Sequence, residues 1–361
     1  CLGVRGLARD LAASGLGALK PLAAETVPGK FKSSIAVHLA GPDDKACPLF
    51  LGRLVRGVKN GASPQWLRDR LTAIGLRPIS ALVDITNFLT FDLCRPLHVF
   101  DAAKLQGDLA LRDARPHEKL KALDGKEYAL DGEMTVIADD SGAISLGGVI
   151  GGESTGCSDA TTDVFIEAAL FDPVRTAATG RRLGVQSDAR YRFERGLYPE
   201  FVRPGLERAT RLVLELCGGE SSEIVTAGAM PDWRRSIAFH PARTKTLGGL
   251  DLPVADQRRI LESLGFTVSG SGDTLTVEPP SWRADIVGEA DLVEEVLRIN
   301  GYDKIPAVPL KRQSDLPKPA LDPAQRRADI MRRALASRDL VEAISFSFVP
   351  PAQAELFCCA P

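Results

Sequence analysis

The sequence has few of the residues that hold zinc or build disulfide frameworks. It contains four histidines and seven cysteines, and none of them follows a Cys-X-X-Cys or Cys/His zinc spacing. The cysteines are scattered, at Cys1, Cys47, Cys94, Cys157, Cys217, Cys358 and Cys359. We therefore expect free thiols in a reducing compartment, and a cytoplasmic protein.

Long apolar runs, aromatic residues and excess charge of one sign are also scarce. No run approaches the ~20 apolar residues that a membrane-spanning helix needs, so no membrane partner is expected. Aromatic residues make up 6% of the chain, and the formal net charge is −2. That charge gives no support for a protein that binds nucleic acid through phosphate contacts alone.

The remaining composition is that of globular domains with frequent turns. Hydrophobic residues make up 44% and charged residues 25% of 361, which is enough to bury a core. At roughly 100–200 residues per domain, two or three domains are expected. The chain begins at Cys1 without a methionine and stops soon after a strand-like stretch, so we expect a piece of a longer chain.

Hydrophobic periodicity predicts an α+β, multidomain fold. Ser63 is the expected N-cap of a helix that ends at Gly75, and residues 79–91 are expected to be buried. Asp124-Gly125 predicts a hairpin turn. Other helices are predicted at residues 1–20, 210–217, 255–264, 285–300 and 324–337. Strands are predicted at residues 34–39, 49–58, 134–138, 144–146, 164–170, 275–277 and 343–349.

Three stretches of the first 200 residues could carry chemistry. The glycine cluster 147–152 either forms a tight turn or lets the backbone approach a ligand closely. Glu167 lies in an apolar strand, where it shares a face with Phe165 and Ala169; it is either exposed or buried with partners. His98 is either a structural histidine or one that orients a ligand.

Two charged sets allow a structural or a binding interpretation. Asp291, Glu294 and Glu295 share one face of a predicted helix that begins at Asp285, and such oxygens suit Mg²⁺, although a solvated stripe has the same pattern. Residues 175–211 contain nine arginines against four acidic residues. They form either a solvated helical face or a surface for nucleic acid.

An ordered set of motifs adds a resemblance to these patterns. The motifs are Ala81-Leu82-Val83-Asp84-Ile85-Thr86-Asn87, Pro96-Leu97-His98-Val99-Phe100-Asp101, Gly147–Gly152, Arg190-Tyr191-Arg192-Phe193-Glu194-Arg195-Gly196, Pro280-Ser281-Trp282-Arg283-Ala284-Asp285, Asp291-Leu292-Val293-Glu294-Glu295-Val296 and Asn300-Gly301-Tyr302. In this order the set resembles the β subunit of bacterial phenylalanine–tRNA ligases over nearly the whole chain.

The resemblance implies a layout of four parts. Residues 1–30 would end an N-terminal domain, and 33–230 would form a tRNA-editing domain. Residues 234–307 would form a small winged-helix-like module, and 320–361 would begin a catalytic-like domain that is inert in this subunit. The implied activity is hydrolysis of mischarged Tyr-tRNA(Phe), within a subunit of an aminoacyl-tRNA ligase.

The resemblance also carries site residues over to this sequence. His98, Glu167, Arg77 and Asn87 would act on the substrate, with Glu167 reading the tyrosine hydroxyl. Five positions would line the pocket: Thr86, Gly148, Gly151, Ser187 and Ala189. Ser187 departs from the threonine that is frequent in the family, which leaves the shape of the pocket in question. No general base is assigned, because no Ser-His-Asp or Cys-His arrangement is evident.

The implied partners are tRNA(Phe) and an α subunit, in an α2β2 heterotetramer. Mg²⁺ would be held by Asp285, Asp291, Glu294 and Glu295 in a site shared with the α subunit, which would also bind ATP. A non-catalytic scaffold that docks tRNA and the α subunit is the alternative from another class. A stand-alone deacylase is a third, disfavoured by the module at 234–307.

Overall fold

The computed structural model describes residues 2–22, 25–40, 46–311 and 319–356. Cys1, Cys358, Cys359 and residues 312–318, which the sequence places in a proline-rich linker between Lys311 and Pro323, lie outside the described residues. The chain divides into two compact units, residues 1–306 and 307–361. Among the described residues, no helix combines the length and the apolar character that crossing a membrane requires.

The first unit contains both helices and strands, and most of its strands follow one another along the chain rather than alternating with helices, which confirms the α+β prediction. The helices are α1 (Val4–Ala13), α2 (Gln65–Ala73), α3 (Ala81–Leu93), α4 (Pro173–Leu183), α5 (Asp188–Phe193), α6 (Val202–Cys217), α7 (Ala242–Thr246), α8 (Val254–Ser263) and α9 (Glu289–Asn300). The strands are β1 (Val37–Leu39), β2 (Leu49–Arg56), β3 (His98–Asp101), β4 (Leu109–Asp113), β5 (Lys119–Lys121), β6 (Glu127–Ala129), β7 (Thr135–Asp139), β8 (Gly142–Leu146), β9 (Ile150–Gly151), β10 (Asp163–Leu170), β11 (Glu220–Ser221), β12 (Val225–Gly228), β13 (Ile237–Phe239), β14 (Thr267–Ser269) and β15 (Leu275–Glu278).

Strand β10 is the centre of the main sheet. It pairs antiparallel with β2 on one side and β3 on the other, in the order β11-β2-β10-β3, and β12 also pairs with β2. Helix α6 packs against both β10 and β2. Residues 164–170 are all buried, as expected for an apolar strand whose two faces are both covered.

A second sheet, in the order β1-β4-β7-β8-β9, carries the glycine cluster between β8 and β9. The predicted hairpin is present beside it as β5 and β6, which pair antiparallel around Asp124-Gly125. Gly125 has a φ of +79°, a conformation that costs glycine little and that explains the Asp-Gly signal.

Residues 237–305 have a small hydrophobic core of their own. Strands β13, β15 and β14 form an antiparallel sheet, and α8 and α9 pack against each other and against its strands. The buried residues include Phe239, Leu261, Leu275, Val293 and Val296. Gly301 ends α9 with a φ of +110°, one residue after the predicted end of this helix at residue 300.

Two local predictions near helix starts need correction. Residues 80–91 are buried or half-buried, and most of them belong to α3, whose N-cap is Ser80, but Ile79 is 69% exposed and not buried as expected. Ser63 is not the N-cap of α2, because Pro64 holds that position. The Ser63 hydroxyl instead donates to the carboxylate of Asp84, 2.6 Å away, so a contact between distant residues replaces the local cap.

The predicted strand at 343–349 is wrong. These residues have no regular structure in the second unit, and Ile344, Phe346 and Phe348 are more than nine-tenths exposed. A strand needs a neighbour for its backbone hydrogen bonds, and the described part of 307–361 contains no other strand. This unit contains α10 (Pro323–Ala336), begun by an Asp322–Gln325 capping box, and α11 (Pro351–Ala354).

Candidate functional site

Glu167 is buried in the middle of the main sheet. On β10 it lies opposite Gly52 of β2 and opposite His98 of β3. Its exposed fraction is 6%, so the exposed-face alternative is wrong. Alternation alone could not show this, because β10 is covered on both faces rather than on one.

The Glu167 carboxyl has an unsatisfied oxygen. Oε2 is buried and has no hydrogen-bond partner among the described residues. Burial raises the pKa of Glu167 to about 8, against the opposing influence of the Arg95 guanidinium. A buried polar atom without a partner is costly, and native proteins keep such atoms mainly where a ligand, water or ion supplies the missing bond.

His98 lies beside Glu167 as a neutral imidazole. Its ring meets the edge of Phe100, with centroids 4.4 Å apart. Its Nε2 atom is buried and lacks a hydrogen-bond partner among the described residues. Burial lowers the pKa of His98 to about 4, so at neutral pH the ring has one donor and one acceptor nitrogen.

The glycine cluster comes directly against this pair. A Cβ atom added at Gly151 would lie 2.5 Å from Cε1 of His98, so only glycine lets the backbone pass this closely. Gly148 has a φ of +70°, and a Cβ there would lie 3.0 Å from the Phe171 ring. The backbone of the glycine cluster therefore packs directly against the side chains of His98 and Phe171. A simple turn between strands does not require such close contacts.

Ser187 connects α5 to the glycine cluster. Its hydroxyl donates to the carbonyl of Val149 and accepts the backbone amide of Arg190 at 3.0 Å, which makes it the N-cap of α5. Ala189 is half-buried against the main core in the first turn of the same helix. The hydroxyl shared by serine and threonine carries both bonds, so the departure from threonine at 187 leaves this connection intact.

Arg77, Thr86 and Asn87 lie on or before α3, a helix that packs against β3. Thr86 is buried, and its hydroxyl donates to the carbonyl of Val83 at 2.8 Å. Asn87 is half-buried, whereas Arg77 is exposed. In the part of the chain that the structure describes, no hydrogen bond or ion pair joins these three residues to Glu167 or His98.

Sequence reasoning missed Arg95. This arginine is 1% exposed, and its guanidinium donates to the carbonyl of Ala169, two residues after Glu167 on β10. Its Nε and Nη1 atoms are buried without partners among the described residues. The available signal was an arginine three residues before His98 in a stretch where the other side chains are mostly apolar.

Three of the four acidic residues at the start of α9 and along it are engaged by arginines or by the backbone of the helix start. Glu295 is 4% exposed and is bonded by Arg283 at 2.6 Å and by Arg298 at 2.7 Å. Asp285 is bonded by Arg283 at 2.7 Å. Asp291 accepts the backbone amides of residues 287 and 288, and Glu294 is exposed.

This arrangement does not fit a metal ion as it stands. Carboxylates have the right chemistry for Mg²⁺, but guanidinium groups already neutralise Glu295 and Asp285. No group of three or more His, Cys, Asp or Glu side chains among the described residues is arranged to hold a metal. Arg298, four residues after Glu294 in the sequence, bonds Glu295 and Asp10.

Most of the arginines between 175 and 211 form ion pairs within the chain. The pairs are Arg175–Asp113, Arg182–Asp131, Arg182–Glu133, Arg190–Glu194, Arg192–Asp188, Arg195–Glu194 and Arg211–Glu25. These side chains therefore hold α4, α5 and α6 to their surroundings. The stretch is not a simple solvated stripe of positive charge.

An open cavity of about 700 Å³ lies at another place in the first unit. It is lined by Ser34, Ile35, His38, Leu54, Arg56, Ala102, Ala103, Leu105, Gly107, Asp108, Ala110, Asp140 and Asp163. None of the predicted site residues borders it. The unsatisfied polar atoms beside Gly151 are a stronger sign of a binding site than the volume of this cavity.

Comparisons with known proteins agree with the motif order. Residues 46–218 match the B3/4 domain family, and residues 237–302 match the tRNA synthetase B5 domain family. The phenylalanine–tRNA ligase β subunit of Paramagnetospirillum magneticum is 62% identical over 359 residues, which are 99% of this chain and 45% of that protein. The corresponding subunit of Cereibacter sphaeroides is 54% identical over 358 residues, covering 99% and 44%.

A solved structure also aligns with the chain. It is an N-terminal fragment of the phenylalanyl-tRNA synthetase β subunit from Pyrococcus horikoshii, at 18% identity and a TM-score of 0.37, covering 82% of each chain. The chain spans about 45% of the length of the curated relatives that it matches. Over 99% of its own length the chain is therefore similar to phenylalanine–tRNA ligase β subunits, and it matches both the B3/4 and the tRNA synthetase B5 domain families.

Proposed function

We propose that this chain carries an editing site that hydrolyses the ester of tyrosine wrongly attached to tRNA(Phe). The observation that carries the proposal is a buried carboxyl with an unsatisfied oxygen, Glu167, beside the neutral His98 and the close backbone of Gly151. These groups form an apolar environment that contains a few convergent polar atoms, as small-molecule binding sites usually do.

The chemistry explains why a carboxyl suits this task. Tyrosine differs from phenylalanine by one hydroxyl, and an apolar pocket rejects an added hydroxyl only by roughly 10²-fold. A second site can select tyrosine if it offers a buried acceptor that phenylalanine leaves unsatisfied. Glu167 offers that acceptor, because Oε2 has no partner within the described residues.

The remaining residues orient the ester rather than attack it. Water adds to the ester carbonyl carbon, and the bond from that carbon to the ribose oxygen breaks, giving free tyrosine and a ribose hydroxyl. His98, Arg77 and Asn87 orient the terminal adenosine, the ester and the water. The backbone at Gly148 and Gly151 admits the substrate, and the side chains of Thr86, Ser187 and Ala189 shape the pocket. Holding the ester and the water in the reacting geometry supplies a large part of the decrease in the activation barrier.

For the complete protein we propose the role of β subunit in a cytoplasmic α2β2 phenylalanine–tRNA ligase. ATP and phenylalanine would bind to the α subunit, and tRNA(Phe) to the assembly. The proposed division is the end of an N-terminal domain at 1–30, an editing domain at 33–230, a small module at 234–307 and the start of a catalytic-like domain at 320–361.

The proposed Mg²⁺ site at Asp285, Asp291, Glu294 and Glu295 requires a rearrangement. When bound, the ion would neutralise these carboxylates where the α subunit meets them. Arg283 and Arg298 now perform that neutralisation, so they would have to release Asp285 and Glu295 first. Mg²⁺ binding is therefore proposed only for the assembly with the α subunit.

The test is hydrolysis of Tyr-tRNA(Phe), with Phe-tRNA(Phe) as the control substrate. We expect release of tyrosine and not of phenylalanine. Glu167→Ala should lower the tyrosine preference about 10- to 100-fold, because it removes a hydrogen bond to a carboxyl group. Asp273→Ala, an exposed substitution outside every proposed site, should leave the preference unchanged.

An inactive chain would be retested as part of the full β subunit with the α subunit present. Continued absence of tyrosine release from that assembly would overturn the editing proposal and favour a scaffold that only docks tRNA and the α subunit.

A further inference from the structure

Arg95 and Glu167 are two buried groups of opposite charge that are incompletely satisfied. Each is almost fully buried, at 1% and 6% exposure. Two nitrogens of Arg95 and one oxygen of Glu167 lack hydrogen-bond partners among the described residues, and no ion pair within 4 Å joins the two groups there. A buried arginine without a nearby negative charge is strongly unfavourable, so its position needs an explanation.

The surrounding structure holds Arg95 in this position. Its guanidinium donates to the carbonyl of Ala169 on β10, and its stem passes over Gly205 of α6. A Cβ atom at Gly205 would lie 2.7 Å from Cγ of Arg95, so α6 has a glycine where the arginine crosses it. The guanidinium also lies 5.8 Å from the centre of the Phe193 ring.

Other charged groups around β10 are engaged elsewhere. Arg53 of β2 is bonded to Glu207 of α6 at 2.7 Å. Lys104, which follows β3, pairs with Asp101. His98 is neutral, and Cys47 is a buried thiol whose pKa is raised by burial. Arg95 is therefore the cation that acts on Glu167, and it opposes the effect of burial on that carboxyl.

We propose that Arg95 is a positioning residue of the editing site, whose guanidinium stabilises the carboxylate form of Glu167 and so makes it a strong acceptor for the tyrosine hydroxyl. The inference rests on the proposed editing function. A carboxylate makes hydrogen bonds that are roughly twice as strong as those of neutral acceptors. Arg95 itself does not touch the substrate, since its remaining contacts are Ala169, Gly205 and Phe193.

The test measures the ionisation of Glu167 directly. ¹³C-carboxyl-labelled glutamate in this chain is followed by NMR against pH, and the Glu167 signal is identified by its loss in Glu167→Gln. In Arg95→Met the midpoint should rise by about one pH unit or more, as expected on removal of a neighbouring opposite charge. Arg53→Met is the matched control, because it also removes a buried arginine and should leave the midpoint in place.

Hydrolysis supplies the second readout. If the midpoint of Glu167 rises by one pH unit, the ionised fraction of Glu167 falls about tenfold at any pH below both midpoints. Arg95→Met should therefore lose about tenfold in tyrosine preference and regain it at higher pH. Arg95→Lys, which keeps the charge, should retain most of the preference. If Arg95→Met does not fold, Arg95→Gln replaces it.

The two proposals fail in different ways. A wild-type chain that releases no tyrosine, even in the complete assembly, overturns the editing function while the NMR midpoint still tests Arg95. A Glu167 midpoint that is the same in wild type and in the uncharged Arg95 variants overturns the role of Arg95, whatever the hydrolysis result.

Discussion

Two buried glutamates in the first unit have nearly the same exposure and opposite properties. Glu167 of β10 and Glu295 of α9 are 6% and 4% exposed. Burial raises the pKa of Glu167 to about 8. Burial also opposes ionisation of Glu295, but the hydrogen bonds from Arg283 and Arg298 outweigh it and lower the pKa. Partners rather than depth decide the charge of a buried carboxyl.

The difference separates a structural region from a region prepared for a ligand. Glu295 has its bonds supplied by its own chain, and those bonds fix α9 to the loop that carries Arg283. Glu167 and its neighbour His98 each keep a buried polar atom without a partner among the described residues. An unsatisfied pair in the middle of a sheet lowers stability, which is common where binding or catalysis is required.

The largest expected effect comes from removing Glu295. Glu295→Ala leaves two arginines without their buried partner and should lower the free energy of unfolding by about 3 kcal/mol or more. Urea denaturation measures this loss. Glu294→Ala, on the exposed side of the same helix, should change it by less than about 0.5 kcal/mol. Equal effects of the two variants would remove the structural role assigned to Glu295.

A smaller effect is expected at Gly151. Gly151→Ala places a methyl group 2.5 Å from the His98 ring, so the ring or the loop must move. We expect a loss of about 2 kcal/mol in stability, together with loss of tyrosine release. Gly61→Ala is the control, since a Cβ there meets no atom within 4 Å. If Gly151→Ala keeps full hydrolysis, the close approach to His98 has no functional meaning.

The pH dependence of stability should distinguish the two glutamates. The folded-state pKa of Glu167 is raised, so the folded chain holds a proton that the unfolded chain releases, and stability falls as pH rises towards 8. Burial lowers the pKa of His98, so the titration of this residue changes the stability mainly below pH 6.5, the ordinary pKa of a histidine in the unfolded chain. Between pH 6.5 and 8 the Glu167 contribution should be about 1.5 kcal/mol.

Comparison of variants isolates this contribution. Urea denaturation at both pH values should show that the free energy of unfolding falls between pH 6.5 and 8 in wild type and in Glu295→Gln. The same measurement should show no such fall in Glu167→Gln. A Glu167→Gln chain with the wild-type pH dependence would show that another group titrates in this window.

The smallest expected effect is that of Mg²⁺ on the isolated chain. Because Arg283 and Arg298 hold Asp285 and Glu295, millimolar Mg²⁺ should not raise the Tm beyond the change produced by NaCl of equal ionic strength. Differential scanning calorimetry makes the comparison. A clear Mg²⁺-specific rise in Tm would mean that the acids exchange their arginines for the ion without the α subunit.

Local patterns predicted much of the fold but not the positions of long-range contacts. The strand at 164–170, the Asp124-Gly125 hairpin and the helix ending at Gly301 follow from side-chain alternation and from glycine conformations. Ser63 was misassigned because its partner, Asp84, is 21 residues away. The strand at 343–349 failed because a strand requires a partner that its own residues do not supply.

The residues of the candidate site also divide into those that local sequence patterns predicted and one that only long-range contacts revealed. His98, Glu167 and the glycine cluster were singled out from residue type and motif order, and the structure brings them together. Arg95 was missed, because an arginine in a short motif does not reveal that β10 and α6 bury it.

The amino-acid sequence was enough to predict many of the helices and strands, the Asp124-Gly125 turn and, through motif order, the resemblance to the β-subunit family. These depend on side-chain periodicity, backbone conformational preference and residue identity, all of which are local. The packing of distant segments leaves Oε2 of Glu167 without a hydrogen-bond partner among the described residues, whereas it gives Glu295 two arginine partners. Desolvation and charge pairing depend on which distant segments pack together, so the pKa of one buried glutamate is raised and the pKa of the other is lowered.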